Sequence, residues 1–518
     1  QLTGQLELEL NLNQLEAQPK VELTSQLHQA SLNLSQIDLQ LNDINGPLNF
    51  SLSQGLESSG LNGKLYGEFI TAKFLQPSNR LEFTSGLSAA NISAYLNLSL
   101  PEEKLAGYTL VKGQLPLNPL GELSLTSSLY GLGYDLLPGL SKHPNSSRQL
   151  SVLLNLADDL SPLNLNLGHD LSLTAIFLAN QAQLEFSSQP LQGQLIWPLT
   201  ASKQGYKLSL DYLKLPAAKA KEAAKAKETA NKQAKSTSQD PLAELNPANL
   251  KPFSLSINQL YQGEELLGNL KAELTPTASG FEINPLTARF ADSQLNAQLS
   301  WQQGSKSYFS GQLKGGNLGT GFLALTGEDL PLTSGEHQLN WQLNWPASPL
   351  HFQLAQAAGE INLHLKNGNF KETSGGLTTL SQLFSLLNID SLFKRLKLDF
   401  SDLGKKGVSY ASIKGSYQLN EGWLTNSKPT EIKSSASRLT LTGKVNLVTQ
   451  ELDQELKLVL PVAQSLPLAA VLVGQPHIGA GIWVTQKLLG KNLDKITQAT
   501  YQIQGSLTDP EVKLKKVF

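Results

Sequence analysis

Imidazole is both a common metal ligand and a common general base, so the seven histidines of this chain are the first residues to test for chemistry. His28, His143, His169, His337, His351, His364 and His477 lie far apart, with no HxH or HExxH pattern and no acidic pair at ligand spacing. That distribution predicts no metal site. Asp158-Asp159 and Glu264-Glu265 are adjacent carboxylate pairs. On a strand, neighbours point to opposite faces, so neither pair converges on one substrate atom, and both read as solvated turn acids. The stretch GGNLGTG, Gly315 to Gly321, has the glycine content of a phosphate cradle. No lysine follows it and no βαβ unit surrounds it, which predicts a turn. Trp341 and Trp345 share a strand face and could stack on a sugar, but without an acid cluster or an aromatic stripe they read as packing residues. Cysteine is absent, which excludes a disulfide framework, a thiolate metal site and a thiol nucleophile. No catalytic residue, metal or cofactor is assigned, and an enzyme is not expected.

The elements that would carry a different function are written in leucine. From Leu6 through Leu8 and Leu10 to Leu12, every even position is leucine and every odd one is Glu or Asn. One face of such an extended segment is apolar and the other is wet. The pattern returns at Leu32 and Leu34, at Leu163, Leu165 and Leu167, at Ile361, Leu363 and Leu365, and in HQLNWQLNW. Gly, Asn, Asp or Pro separate the runs, and turns this short cannot hold crossover helices. The spacing predicts an all-β fold of antiparallel hairpins. Helical periodicity is almost absent before residue 376.

The 518 residues suffice for two to four ordinary domains or for one elongated array without a central core. Charged residues are 16% of the chain, against about 25% in typical globular proteins, and the formal net charge is −2. Neither value suggests a nucleic-acid partner. Asn, Gln, Ser and Thr build the polar faces instead. Methionine is absent even at position 1, so Gln1 is not expected to be a native start, and any targeting segment is expected upstream of it.

Four stretches are expected: a first β length over 1–215, a Lys/Ala-rich linker over 216–247, a second β length over 248–372 and a C-terminal module over 373–518. Within the last, Leu377, Leu380, Leu383, Phe384 and Leu387 fall at helical spacing, with Lys394 and Arg395 on the polar side of a following short segment. They predict short amphipathic helices. The apolar region beginning at Ser465 is interrupted by Pro467, Gln475, Pro476 and His477, short of the roughly 20 clean residues of a spanning helix. A helical hairpin over 465–495, interfacial or buried, is the expectation. At a membrane interface it would present Leu468, Val471, Leu472, Ile482, Trp483, Lys487 and Lys491.

The run from Leu377 to Phe400 with KKGVSYASIKGSYQLNEGWL resembles the C-terminal region of the AsmA-like envelope proteins. LTSSLYGLGYDLLPGLSK, LGNLKAEL, LNWQLNWPASP, LPVAQSLPLAAVLVG and YQIQGSLTDPEVK add to the resemblance, which spans nearly the whole chain and is carried by the order of these motifs. It implies an elongated, curled antiparallel sheet with an open hydrophobic groove. It further implies phospholipid transfer across the periplasm between the inner and outer membranes of a Gram-negative envelope. The family's N-terminal inner-membrane helix has no counterpart here, and the 216–241 insert departs from its pattern. On this resemblance Leu6, Leu8, Leu10, Leu12, Leu32, Leu34, Leu163, Leu165, Leu167, Ile361, Leu363 and Leu365 would line the groove. The alternative is a structural or adhesive β-solenoid whose leucine faces close into a dry core. A parallel solenoid carries a fixed-length repeat, which this chain does not show.

Overall fold

The structure, a computed structural model, describes residues 2–13, 20–34, 39–53, 55–95, 104–137, 140–158, 161–199, 205–216, 240, 242–243, 245–326, 330–371, 409–434, 437–459, 498–507 and 509–517. The fold is all-β and built on antiparallel sheet. Every strand pairing among the described residues is antiparallel, and most join neighbours in sequence. The amphipathic helices expected at 377–395 and the hairpin at 465–495, with Leu468, Val471, Leu472, Ile482, Trp483, Lys487 and Lys491, lie outside the described residues.

The chain divides into two compact units. The first comprises residues 1–202 and 206–215. Its sheet opens with Leu2–Asn13 against Lys20–Leu34, Leu6 facing Leu27 and Leu10 facing Leu23. One strand departs from the simple hairpin order. The C-terminal part of Leu105–Pro116 pairs with Glu122–Ser127, while its first residues pair with Leu132–Leu137, which in turn pairs with Leu140–Lys142. A small lobe forms there, joined by the helix α1, Ala89–Tyr95. Ser88 caps α1, its Oγ accepting from Asn91 N at 3.2 Å.

The second unit comprises residues 203–205 and 216–518. Its strands pair in chain order from Phe253–Gln262 to Pro510–Val517. Where GGNLGTG predicts a turn, the strand Lys306–Gly315 ends and the helix α2, Leu318–Thr326, begins. The physical reason is a cap that overrides two helical glycines. Asn317 Oδ1 accepts from Gly319 N at 3.0 Å, Asn317 N donates to Asp292 Oδ2 at 2.8 Å, and Leu318 N donates to Ser334 Oγ at 2.9 Å. With α1, it gives two short helices before residue 376, in keeping with the expectation that helical periodicity is almost absent there.

His337 anchors the same corner. Its Nδ1 donates to Gly316 O at 3.1 Å, and burial holds the imidazole below its ordinary value of 6.5, opposed by that bond and by Asp292. His364 is lowered too, by burial and by Lys414 and Lys366. A histidine kept neutral by folding takes up protons more readily in the unfolded chain, so stability is complete above about pH 6.5 and declines below it. Acidification from about pH 7 to about pH 5 is expected to lower the urea midpoint of the second unit. His337→Gln should flatten that slope and His364 should leave a residual one. An unchanged slope in the variant means that His337 does not contribute.

Candidate functional site

The strand Leu163–Leu167 sends Leu163, Leu165 and Leu167 to one face and Asn164 and Asn166 to the other. On the polar face Thr174 Oγ1 donates to Asn164 Oδ1 at 3.1 Å, and Asn166 is exposed. On the apolar face Leu165 lies opposite Val152 and Leu173. The row continues one way through Leu125, Gly113, Phe83, Ala72 and Leu61. It continues the other way through Phe186, Gly193 and Leu210. The ring of Phe83 lies across Gly113, where any Cβ would collide with it, so the glycine keeps the row level. Parallel rows flank it: Leu150, Leu167 and Leu171 on one side, Leu163, Ala175, Leu184, Leu195 and Leu208 on the other.

Burial along this face is uneven. Leu163, Leu165, Leu167, Val152, Leu173 and Phe186 are half-buried, whereas Ala175 and Leu210 are buried. Large apolar side chains thus remain reachable over much of the first unit's apolar face. Leu32, opposite Leu41 on the same sheet, is half-buried as well. The backbone places Leu8 opposite Ser25, Leu12 opposite Val21 and Leu34 opposite Leu39.

The second unit repeats the alternation with a different outcome. Leu363 sits between Leu339 and Gly415, Ile361 between Trp341 and Tyr417, and Leu365 between His337 and Ile413. Here Leu363 is 8% exposed and Leu365 0%, in one buried cluster with Ile413, Leu439, Leu458, Tyr501 and Ile503. Leu318, Leu330 and Leu332, at and after the start of α2, join this cluster. Trp341 packs on Phe309 at 5.3 Å and Trp345 on Phe352 at 5.0 Å, so both are packing residues. The leucine set at 163–167 and the set at 361–365 therefore belong to different units and differ in burial. Phe83, Leu125, Val152, Leu173 and Phe186 extend the first set, though sequence inspection did not single them out. The signal for Phe83, Leu125 and Phe186 was present in the alternation of RLEF, ELSL and QLEF, and that for Leu173 in DLSLTAIF.

No ligating chemistry emerges beside these faces. Among the described residues, no three His, Asp or Glu side chains converge on a metal position. Asp158, Glu264 and Glu265 are exposed in or beside turns. Burial raises the Tyr410 and Tyr501 hydroxyls far above their ordinary range, so both stay neutral. No helix among the described residues is long and apolar enough to cross a membrane.

A family model described as YhdP protein matches residues 168–512. The chain belongs to the YhdP family. The matched region takes in Leu173, Phe186 and the second unit's apolar rows, while Leu163, Leu165 and Leu167 lie just before it. The intermembrane phospholipid transporter YhdP of Escherichia coli (strain K12) is 25% identical over 223 residues, 42% of this chain. The match covers 17% of the length of that YhdP protein. No solved structure matches the chain.

The contrast in burial sets an expected difference in stability. Leu365→Ala removes a fully enclosed side chain and should cost about 2–5 kcal/mol. Leu165→Ala, at a half-buried position, should cost about 1 kcal/mol. Equilibrium denaturation of both variants checks the order. Equal losses mean that the two faces are packed alike.

Proposed function

We propose that this chain is a non-enzymatic conduit for phospholipid, with acyl chains lying along the leucine faces of its sheets. The observation that carries this function is the row of apolar side chains from Leu61 to Leu210, most of them half-buried. Each methylene left in water costs about 0.8 kcal/mol, or on the order of 12 kcal/mol for a sixteen-carbon chain. A row of similar leucine contacts relieves that cost at every step without a tight site, so a lipid can slide. The name of the Escherichia coli relative supports phospholipid as cargo.

The full proposal is transfer between the inner and outer membranes of a Gram-negative envelope. The chain would act in the periplasm, tethered to the inner membrane by a helix supplied from outside it. Its partners would be phospholipids and the two membranes. The proposed groove wall in the first unit comprises Leu6, Leu8, Leu10, Leu12, Leu32, Leu34, Leu163, Leu165 and Leu167, whereas Ile361, Leu363 and Leu365, expected to belong to it, stand in the second unit, where Leu363 and Leu365 are enclosed. A structural array with a dry core is the second possibility, and it draws on the complete burial of Leu365, Ile413 and Leu439.

A photo-crosslinking residue at Leu165 is expected to capture phospholipid in cells, whereas one at Asn166, on the opposite face, is not. Equal capture from both faces overturns the conduit. Leu165→Asp should block transfer between donor and acceptor vesicles, because a carboxylate among acyl chains is costly to desolvate. The same variant should fold and remain soluble, since its position is half-buried. Loss of the fold would instead mark Leu165 as part of a closed core and favour the structural array.

A further inference from the structure

The lobe that leaves the first unit's sheet holds a cation without a counter-ion. Lys142 lies opposite Tyr134 across the Leu132–Leu137 and Leu140–Lys142 hairpin and is only 8% exposed. Its Nζ donates to Leu132 O at 2.7 Å and to His143 O at 3.1 Å. An ammonium has three donors, so one is left over. The nearby carboxylates are already engaged: Asp135 pairs with Lys104 at 3.3 Å and Asp170 with Arg148 at 3.0 Å. Among the described residues no carboxylate pairs with Lys142. Burial lowers its affinity for a proton, as expected for a charge taken from water without a partner.

Arg148 adds a second cation beside the same ring. Its Nη1 donates to Tyr134 Oη at 3.0 Å, and its Nε is buried without a hydrogen-bond partner. Tyr134 belongs to a buried cluster with Leu105, Leu129 and Leu132, and Leu150 and Leu167 of the apolar face pack against that cluster. Lys142, the cation without a carboxylate, and Arg148, already paired with Asp170, thus stand beside a buried cluster against which leucines of the apolar face pack. Anionic phosphate joined to acyl chains is the chemistry that fits both.

We infer that Lys142, with Arg148 beside Tyr134, forms the anchoring point for the phosphate of a phospholipid whose acyl chains lie on Leu150, Leu165 and Leu167. This assignment rests on the conduit function proposed above. The structural alternative is that Lys142 only clamps two carbonyls to close its hairpin, in which case its charge affects folding but not lipid choice.

The test compares dioleoyl phosphatidic acid with dioleoylglycerol, which has the same acyl chains and no phosphate, on the purified chain. The wild type is expected to hold phosphatidic acid about tenfold more tightly, the worth of a charge-assisted hydrogen bond. Lys142→Met should abolish that preference while diacylglycerol binding stays, and Lys142→Arg should retain it. Inorganic phosphate should compete only weakly. If it binds as tightly as the lipid, the site serves free phosphate and the assignment is overturned. Equal binding of both lipids by the wild type also overturns it, and this comparison decides should Lys142→Met fail to fold. An unchanged preference in a folded Lys142→Met leaves only the structural clamp. If neither lipid binds the wild type, the conduit itself falls, an outcome distinct from loss of the preference alone.

Discussion

The phase of the side-chain alternation across each sheet is the constraint on which everything else depends. Residues on a strand alternate faces with a period of two, so a slip of one residue turns every leucine to water. The register keeps Leu125, Val152, Leu165, Leu173 and Phe186 in one row, and Leu295, Leu313, Leu339 and Leu363 in another. Antiparallel hairpins hold this phase locally, because each short turn sets the register of the next strand. The apolar face is therefore a cumulative product of many turns and needs no central core.

Phase is also corrected where the sequence breaks it. In the strand Gly280–Phe290 both Ile283 and Leu286 pair with apolar partners, Leu274 and Ala272, although their spacing is odd. The register shift that contains Pro285 absorbs the extra residue, a position where the missing proline N–H is tolerated. A similar shift beside Gly193 lets Leu213 and Leu210 face Leu191 and Gly193. Such bulges keep the apolar rows aligned over strands whose own alternation is imperfect.

The same alternation gives two environments. In the first unit the leucines stay half-buried, and the only buried unpaired cation of the described lobe, Lys142, stands beside a buried cluster against which leucines of their face pack. In the second, tryptophan, tyrosine and leucine fill the face, and α2 with the following Leu330 and Leu332 joins the buried cluster. A reachable face suits a mobile apolar cargo, and a filled one suits structural stability. Low charge density fits both, since surfaces rich in Asn, Gln and Ser stay solvated without strong fields.

What the sequence alone determined was the strand class, the antiparallel pairing and the leucine faces, because period-two alternation and short turns are local and additive. The lack of a lysine after GGNLGTG, with no βαβ unit around it, also sufficed to reject a phosphate loop. Other features needed the tertiary structure. The helix α2 depends on Asp292 and Ser334, which are distant in sequence from Asn317 yet satisfy the first turn of that helix. The difference between Leu165 and Leu365 is invisible in LNLNL and INLHL, because burial depends on what packs over a face and not on the alternation that creates it. Lys142 likewise reads as an ordinary surface lysine in GLSKHP. Only the fold takes its ammonium out of water and leaves it without a carboxylate: the two carbonyls it meets, Leu132 O and His143 O, are local to its hairpin, but its burial is set by what packs around that hairpin.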